Sequence, residues 1–176
     1  MSSMSLLPEG WFIAGSKPND YEAGVTINGF RSKAAAYLRS RVSSSGFGTI
    51  MQQFKADAYR GKRLRFSAMV HAEAVEGHAG LWMRVDRTGG GMLAFDNMHD
   101  RWIAGSTDWT SYSVVLDVAK QGSEKIAFGV LLSGAGKIRM ADVRIEAVGH
   151  DVPITGKPFL RDHPINLDFE LHKNEA

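Results

Sequence analysis

A chain of 176 residues with 44% apolar and 23% charged positions has the composition of one ordinary globular domain, which excludes a disordered chain and a membrane-embedded one. Its 21 Lys and Arg nearly cancel 19 Asp and Glu, and a formal surplus of +2 gives little reason to expect nucleic acid as a partner. Cysteine is absent, which removes disulfides, thiolate chemistry and Cys-ligated zinc.

The opening stretch from Met1 to Pro8 has neither the basic nor the apolar region of a secretory signal as written. The longest uncharged apolar run, Ile126 to Gly136, is too short and too broken by glycine to span a bilayer. A cytoplasmic location is expected.

Strand signals run through the first third: Glu22 to Ile27, Ala34 to Arg41 and Phe47 to Phe54 read as strands, and Lys55 to Gly61 as a helical turn. Ala34 to Leu38 has helical propensity, but strand and turn punctuation on both sides favours a strand. From Lys62 to His71 the alternation is strict, with Leu64, Phe66, Ala68 and Val70 on one face and Arg63, Arg65, Ser67, Met69 and His71 on the other. A turn is expected at Glu76 to His78. Ala79 to Asp86 then places Leu81, Met83 and Val85 opposite Trp82, Arg84 and Asp86. Tyr112 to Val118 and Ile126 to Leu132 alternate in the same way, the second run being apolar on both sides.

Turns are predicted at Thr88 to Gly91, Gly105 to Asp108, Gln121 to Ser123 and Ser133 to Gly136, the spacing of an antiparallel sandwich. Lys137 to Val148 closes the series, with a change of phase at Ala141 and Asp142 that predicts a bulge. The fold class is therefore all-β: an antiparallel sandwich of the jelly-roll type. Its body should span residues 1 to 148, followed by a proline-bearing linker over 149 to 163. A last short strand and tail, residues 164 to 176, would complete the sandwich or swap into a second copy.

Several stretches read together, namely Phe47 to Gln52, Tyr59 to Lys62, Ala79 to Asp86, Leu93 to Met98, Thr107 to Trp109 and Phe128 to Leu132, resemble a bacterial family of galactose-binding-like jelly-roll modules. Members of that family occur alone or fused to transcriptional regulators. The likeness extends over roughly residues 10 to 148 and to β-sandwich carbohydrate-binding modules. It implies the fold, and a carbohydrate or other small polar molecule as ligand. Such modules often begin with a strand like Asn166 to Glu170 followed by a Gly-Trp pair. Here the strand-like text is C-terminal, while Gly10 and Trp11 open the chain. The resemblance also implies a structural calcium ion bridging first and last strands, for which Asp142 and Glu170 are the candidate ligands.

The candidate ligand-binding residues are Trp82, Arg84, Asp86, Gln52, Asn97, Asp100 and Trp102. An indole offers a flat apolar face to a sugar ring, and Arg84 offers a fork of donors to hydroxyl or carboxylate. The alternative is that Trp82 is packing and Arg84 is paired with Asp86 or Asp96. The loop from Asn97 to Trp102 is rich in hydrogen-bonding groups beside aromatic ones, as a ligand rim would be, although Asp and Asn also serve turns.

The six histidines show no zinc spacing, Thr88 to Gly91 lacks the Lys of a phosphate loop, and Ser43 to Gly46 is not a nucleophile elbow. No catalytic motif is present. The reading is a non-catalytic binding module without an organic cofactor, on a sheet face with Trp82 and Arg84. The alternative is a protein-protein interaction module, a regulator's sensory or dimerisation domain, with the C-terminal strand as the element that would join two copies in a homodimer.

Overall fold

The alternating runs do form strands, and every pairing among them is antiparallel. A computed structural model describes residues 7 to 156, residue 164 and residues 167 to 169. In chain order the strands are β1 (Phe12–Ala14), β2 (Tyr21–Phe30), β3 (Lys33–Ser40), β4 (Phe47–Lys55), β5 (Arg63–Arg87), β6 (Met92–Asp96), β7 (Ile103–Asp117), β8 (Ser123–Ser133) and β9 (Lys137–Val148). Two single turns of 3₁₀ helix, Pro18–Asp20 and Asp57–Tyr59, interrupt them, the second within the predicted helical turn.

β5 organises the molecule. Its first part, Arg63 to Glu73, lies between β7 and β9, and its second part, His78 to Arg87, lies between β8 and β6. One sheet therefore runs β2-β3-β9-β5-β7 and the other β1-β4-β8-β5-β6, the two joined through a single 25-residue strand. The predicted turn at Glu76 to His78 is not there. Pairing slips between Ala72 and Val75 and again before Ala79, and Ala74 takes a left-handed φ of 49°, so the strand bends without reversing. At Gly77 a Cβ would overlap the carbonyl oxygen of Ser133, so only glycine lets the neighbouring backbone come this close. The predicted turn at Gly105 to Asp108 is likewise absorbed into β7, which follows the same bend.

Inward faces match the alternation. Leu64, Phe66 and Val70 from the first part of β5 meet Leu81, Met83 and Val85 from the second, with Ile50, Ile126, Phe128, Val114 and Leu116 between them. Phe66 and Phe128, from opposite sheets, stack edge to face at 5.0 Å. Each such side chain contributes about 1.5–3 kcal/mol by leaving water, so the core alone accounts for why period-2 text dictates this fold. The expected bulge in β9 is present: its register against β5 shifts between Ser67 and Met69, and Asp142 has φ 52°.

Beyond β9 the chain is held along β7. The Thr155 N–H donates to the Val115 carbonyl, the Val115 N–H donates back to Thr155 Oγ1 at 2.7 Å, and Arg63 donates to the carbonyls of His150 and Val152. Of the segment expected to form the closing strand, the described residues are 164 and 167 to 169, with Leu167 and Asp168 in a turn; the remainder lies outside the described residues.

Candidate ligand-binding groove

The outer face of the β1-β4-β8-β5-β6 sheet carries a groove of about 510 Å³. Alternation puts its lining there: Phe47, Thr49 and Met51 from β4, Leu131 and Ser133 from β8, His78, Trp82 and Arg84 from β5, and Phe95 and Asn97 from β6 and just after it. Ala14 and Gly15 close the β1 side.

Trp82 forms the floor rather than a raised platform. Only 6% exposed, it packs with Met51 and Ala127 against Phe95 and Leu131. Its Nε1–H donates to Thr49 Oγ1 at 2.8 Å, and the Thr49 hydroxyl donates to the Val130 carbonyl at 2.8 Å. The chain of bonds uses the indole's one donor, so the ring offers the groove a π-surface and no polar edge. Gly129 sits between Trp82 and Met51 across the strands, where a Cβ would overlap the Ile50 carbonyl oxygen.

Arg84 projects beside this floor, with its guanidinium 5.8 Å from the Trp82 ring. Nε donates to Asp86 Oδ1 at 2.6 Å and Nη2 to Oδ2 at 3.3 Å, and Lys125 Nζ stands 4.0 Å from the same carboxylate. The pairing with Asp86, one of the two partners considered for Arg84, is the one formed. Asp86 itself lies one step beyond the groove, in the shallower cleft shared with Arg87 and Lys125.

The Asn97 to Trp102 loop is pinned from below. Asp96, buried, accepts the Met98 N–H at 2.9 Å and Arg101 Nη2 at 2.7 Å, while Arg101 also donates to the Ser113 carbonyl and to Asp100 Oδ1. Met98, fully buried at a left-handed φ of 58°, accepts the Leu81 N–H on its sulfur. Asn97 is thereby held at the groove. Trp102, 50% exposed, stacks on His78 with centroids 4.4 Å apart and planes 22° from parallel, and His99 meets its edge. Burial, and secondarily the neighbouring His99, hold the His78 imidazole below the usual histidine pKa.

Of the candidate residues, the fold brings together Trp82, Arg84 and Asn97 in the groove, with Trp102 beside its wall and Asp86 behind Arg84. It does not bring Gln52 there: the side chain alternates onto the other face of β4, toward Gly10. Asp100 is spent on Arg101 at the loop surface. His78, Phe95, Thr49 and Leu131 escaped sequence reasoning. For His78 the signal was present, since the Trp82 alternation continued back through Gly80 reaches it; the turn expected at Glu76 to His78 concealed it. Asp142 pairs with Arg144 at 3.5 Å, Glu170 lies outside the described residues, and among the described residues no group of three or more His, Asp or Glu is arranged to hold a metal ion. No helix among them is long and apolar enough to cross a membrane.

Two antiparallel sheets joined through one long strand, with a groove across one outer face, define a jelly-roll β-sandwich, and carbohydrate-binding modules share this fold. The CBM22-1 xylan-binding domain of Xyn10C from Paenibacillus barcinonensis superposes with a TM-score of 0.55 at 14% identity, over 80% of this chain and 86% of that one. The C-terminal family 22 carbohydrate-binding module of Clostridium thermocellum Xyn10B gives 0.53 at 13% identity, over 82% and 89%. The enzymatically active domain of tailspike protein 4 from bacteriophage CBA120 gives 0.58 at 14%, over 80% of this chain and 20% of that one.

In sequence the chain is 45% identical over 175 residues to the uncharacterized HTH-type transcriptional regulator YbfP of Bacillus subtilis strain 168. That match covers 96% of this chain, which spans 59% of the regulator's length. No protein-family model matches the sequence.

Proposed function

We propose that this domain is a non-catalytic binding module for a carbohydrate or similar small polar ligand, which it takes into the groove over Trp82. The observation that carries the proposal is the groove's make-up: an apolar floor of Trp82, Met51 and Leu131 beside the hydrogen-bonding groups of Arg84, Asn97 and Ser133. Sugars present this pattern in reverse, with a flat C–H face and a polar rim. A volume of about 510 Å³ falls within the usual range of about 300–1,000 Å³ for small-ligand sites. Among the described residues the lining includes neither Asp nor Glu, and so no carboxylate pair of the kind glycoside hydrolysis uses.

The test is calorimetric and fluorimetric titration with a panel of mono- and oligosaccharides. Binding to at least one sugar is expected, and Leu131→Trp, which fills the groove, should abolish it while the melting temperature stays within a few degrees. Silence across the panel would remove the reading.

A second reading is a sensory role. The likeness to an HTH-type regulator favours this domain as a sensory module, ligand occupancy in the groove being passed to a partner domain or a second copy. Sedimentation of the chain with and without its ligand should then show a change in association.

A further inference from the structure

The groove's charge is one-sided: among the described residues its lining holds a guanidinium and an imidazole and no carboxylate. Behind it, one carboxylate serves two cations. The Asp86 side chain is 12% exposed, against 33% for Arg84 and 45% for Lys125, so the anion is the hidden member and both cations face water. In the cleft just beyond, Arg87 and Glu124 offset each other, leaving this end of the groove with a net charge of one. Arg84 cannot swing freely, since Asp86 holds its Nε and Nη2 edge and the Trp82 ring lies beneath it.

From this, and resting on the groove reading above, we infer that the ligand is a small acidic sugar. Its ring lies on the apolar floor and its single carboxylate meets the Arg84 and Lys125 end. A carboxylate carries one negative charge and matches the surplus; a phosphate dianion would exceed it. The partly desolvated position of Arg84 makes a charged hydrogen bond worth more here than on an open surface.

The experiment titrates the chain with galacturonate and glucuronate, with galactose and glucose as their neutral counterparts, and with galactose 1-phosphate. A uronate should bind at least about ten-fold tighter than its neutral counterpart at low salt, and the gap should narrow by about 0.5 M NaCl. Arg84→Gln should close the gap. Lys125→Gln, on a more exposed residue whose loss leaves the Trp82 stack intact, should narrow it.

Equal affinity for acid and neutral sugar, or a gap that neither substitution changes, overturns the inference and leaves the groove reading standing. A phosphate ester that outranks both uronates overturns the carboxylate assignment. Binding that survives Leu131→Trp, or no binding to any sugar, overturns the groove reading and this inference together.

Discussion

Trp82 and Thr49, 33 residues apart in sequence, are joined at the bottom of the groove by a 2.8 Å hydrogen bond from the indole to the threonine hydroxyl. Thr49→Val keeps the volume and removes the acceptor, leaving a buried N–H without a partner. The expected cost is about 1–3 kcal/mol, read as a lower urea midpoint at unchanged slope.

Asp96 is the post on which the Asn97 to Trp102 loop stands, through Met98 and Arg101. Asp96→Ala should lose about 1–3 kcal/mol of stability and weaken groove binding as well, because Asn97 and Trp102 are no longer held. Asp96→Asn keeps an acceptor for the Met98 N–H and should lose less. Urea denaturation and sugar titration of both variants separate the two effects.

Gly129→Ala places a methyl group against the Ile50 carbonyl oxygen at the centre of the groove sheet. Backbone cannot yield there as a flexible side chain would. Overpacking of this kind costs about 1–3 kcal/mol, measured as a drop in melting temperature.

His78 has its pKa held down in the folded chain, first by burial and then by His99. An unfolded histidine titrates near 6.5. Above that pH both states are neutral and the group's contribution is fully present; as pH falls through it the unfolded chain takes up the proton first, and stability declines until the folded imidazole is protonated too. His78→Phe, which keeps a ring against Trp102, should flatten this part of the profile between pH 7 and 5 in paired thermal melts.

Much of this was legible in the text because burial and strand period are local properties. The opposed faces of Leu64 to Val70 and of Trp82 to Asp86, the hairpin at Thr88 to Gly91 and the bulge at Asp142 all follow from which residues alternate and where glycine falls. The continuity of β5 did not, since a Gly-bearing polar stretch at Glu76 to His78 reads as a reversal when it is a bend in which Gly77 lies against the carbonyl of Ser133, far along the chain on β8. Alternation along β4 turns Thr49 and Met51 to the groove and Gln52 to the opposite face. Long-range pairings such as Trp82 with Thr49 leave no trace in either local sequence.

β5 also decides how the molecule comes apart. Because one backbone supplies an interior strand to both ladders, pulling either half of β5 away strips neighbours from its own sheet and strains the joint at residues 74 to 77 that leads into the other. The domain should therefore unfold as one cooperative unit: the signal from Trp82 in one sheet, that of Trp109 against Phe30 on the other, and backbone circular dichroism should trace a single coincident transition.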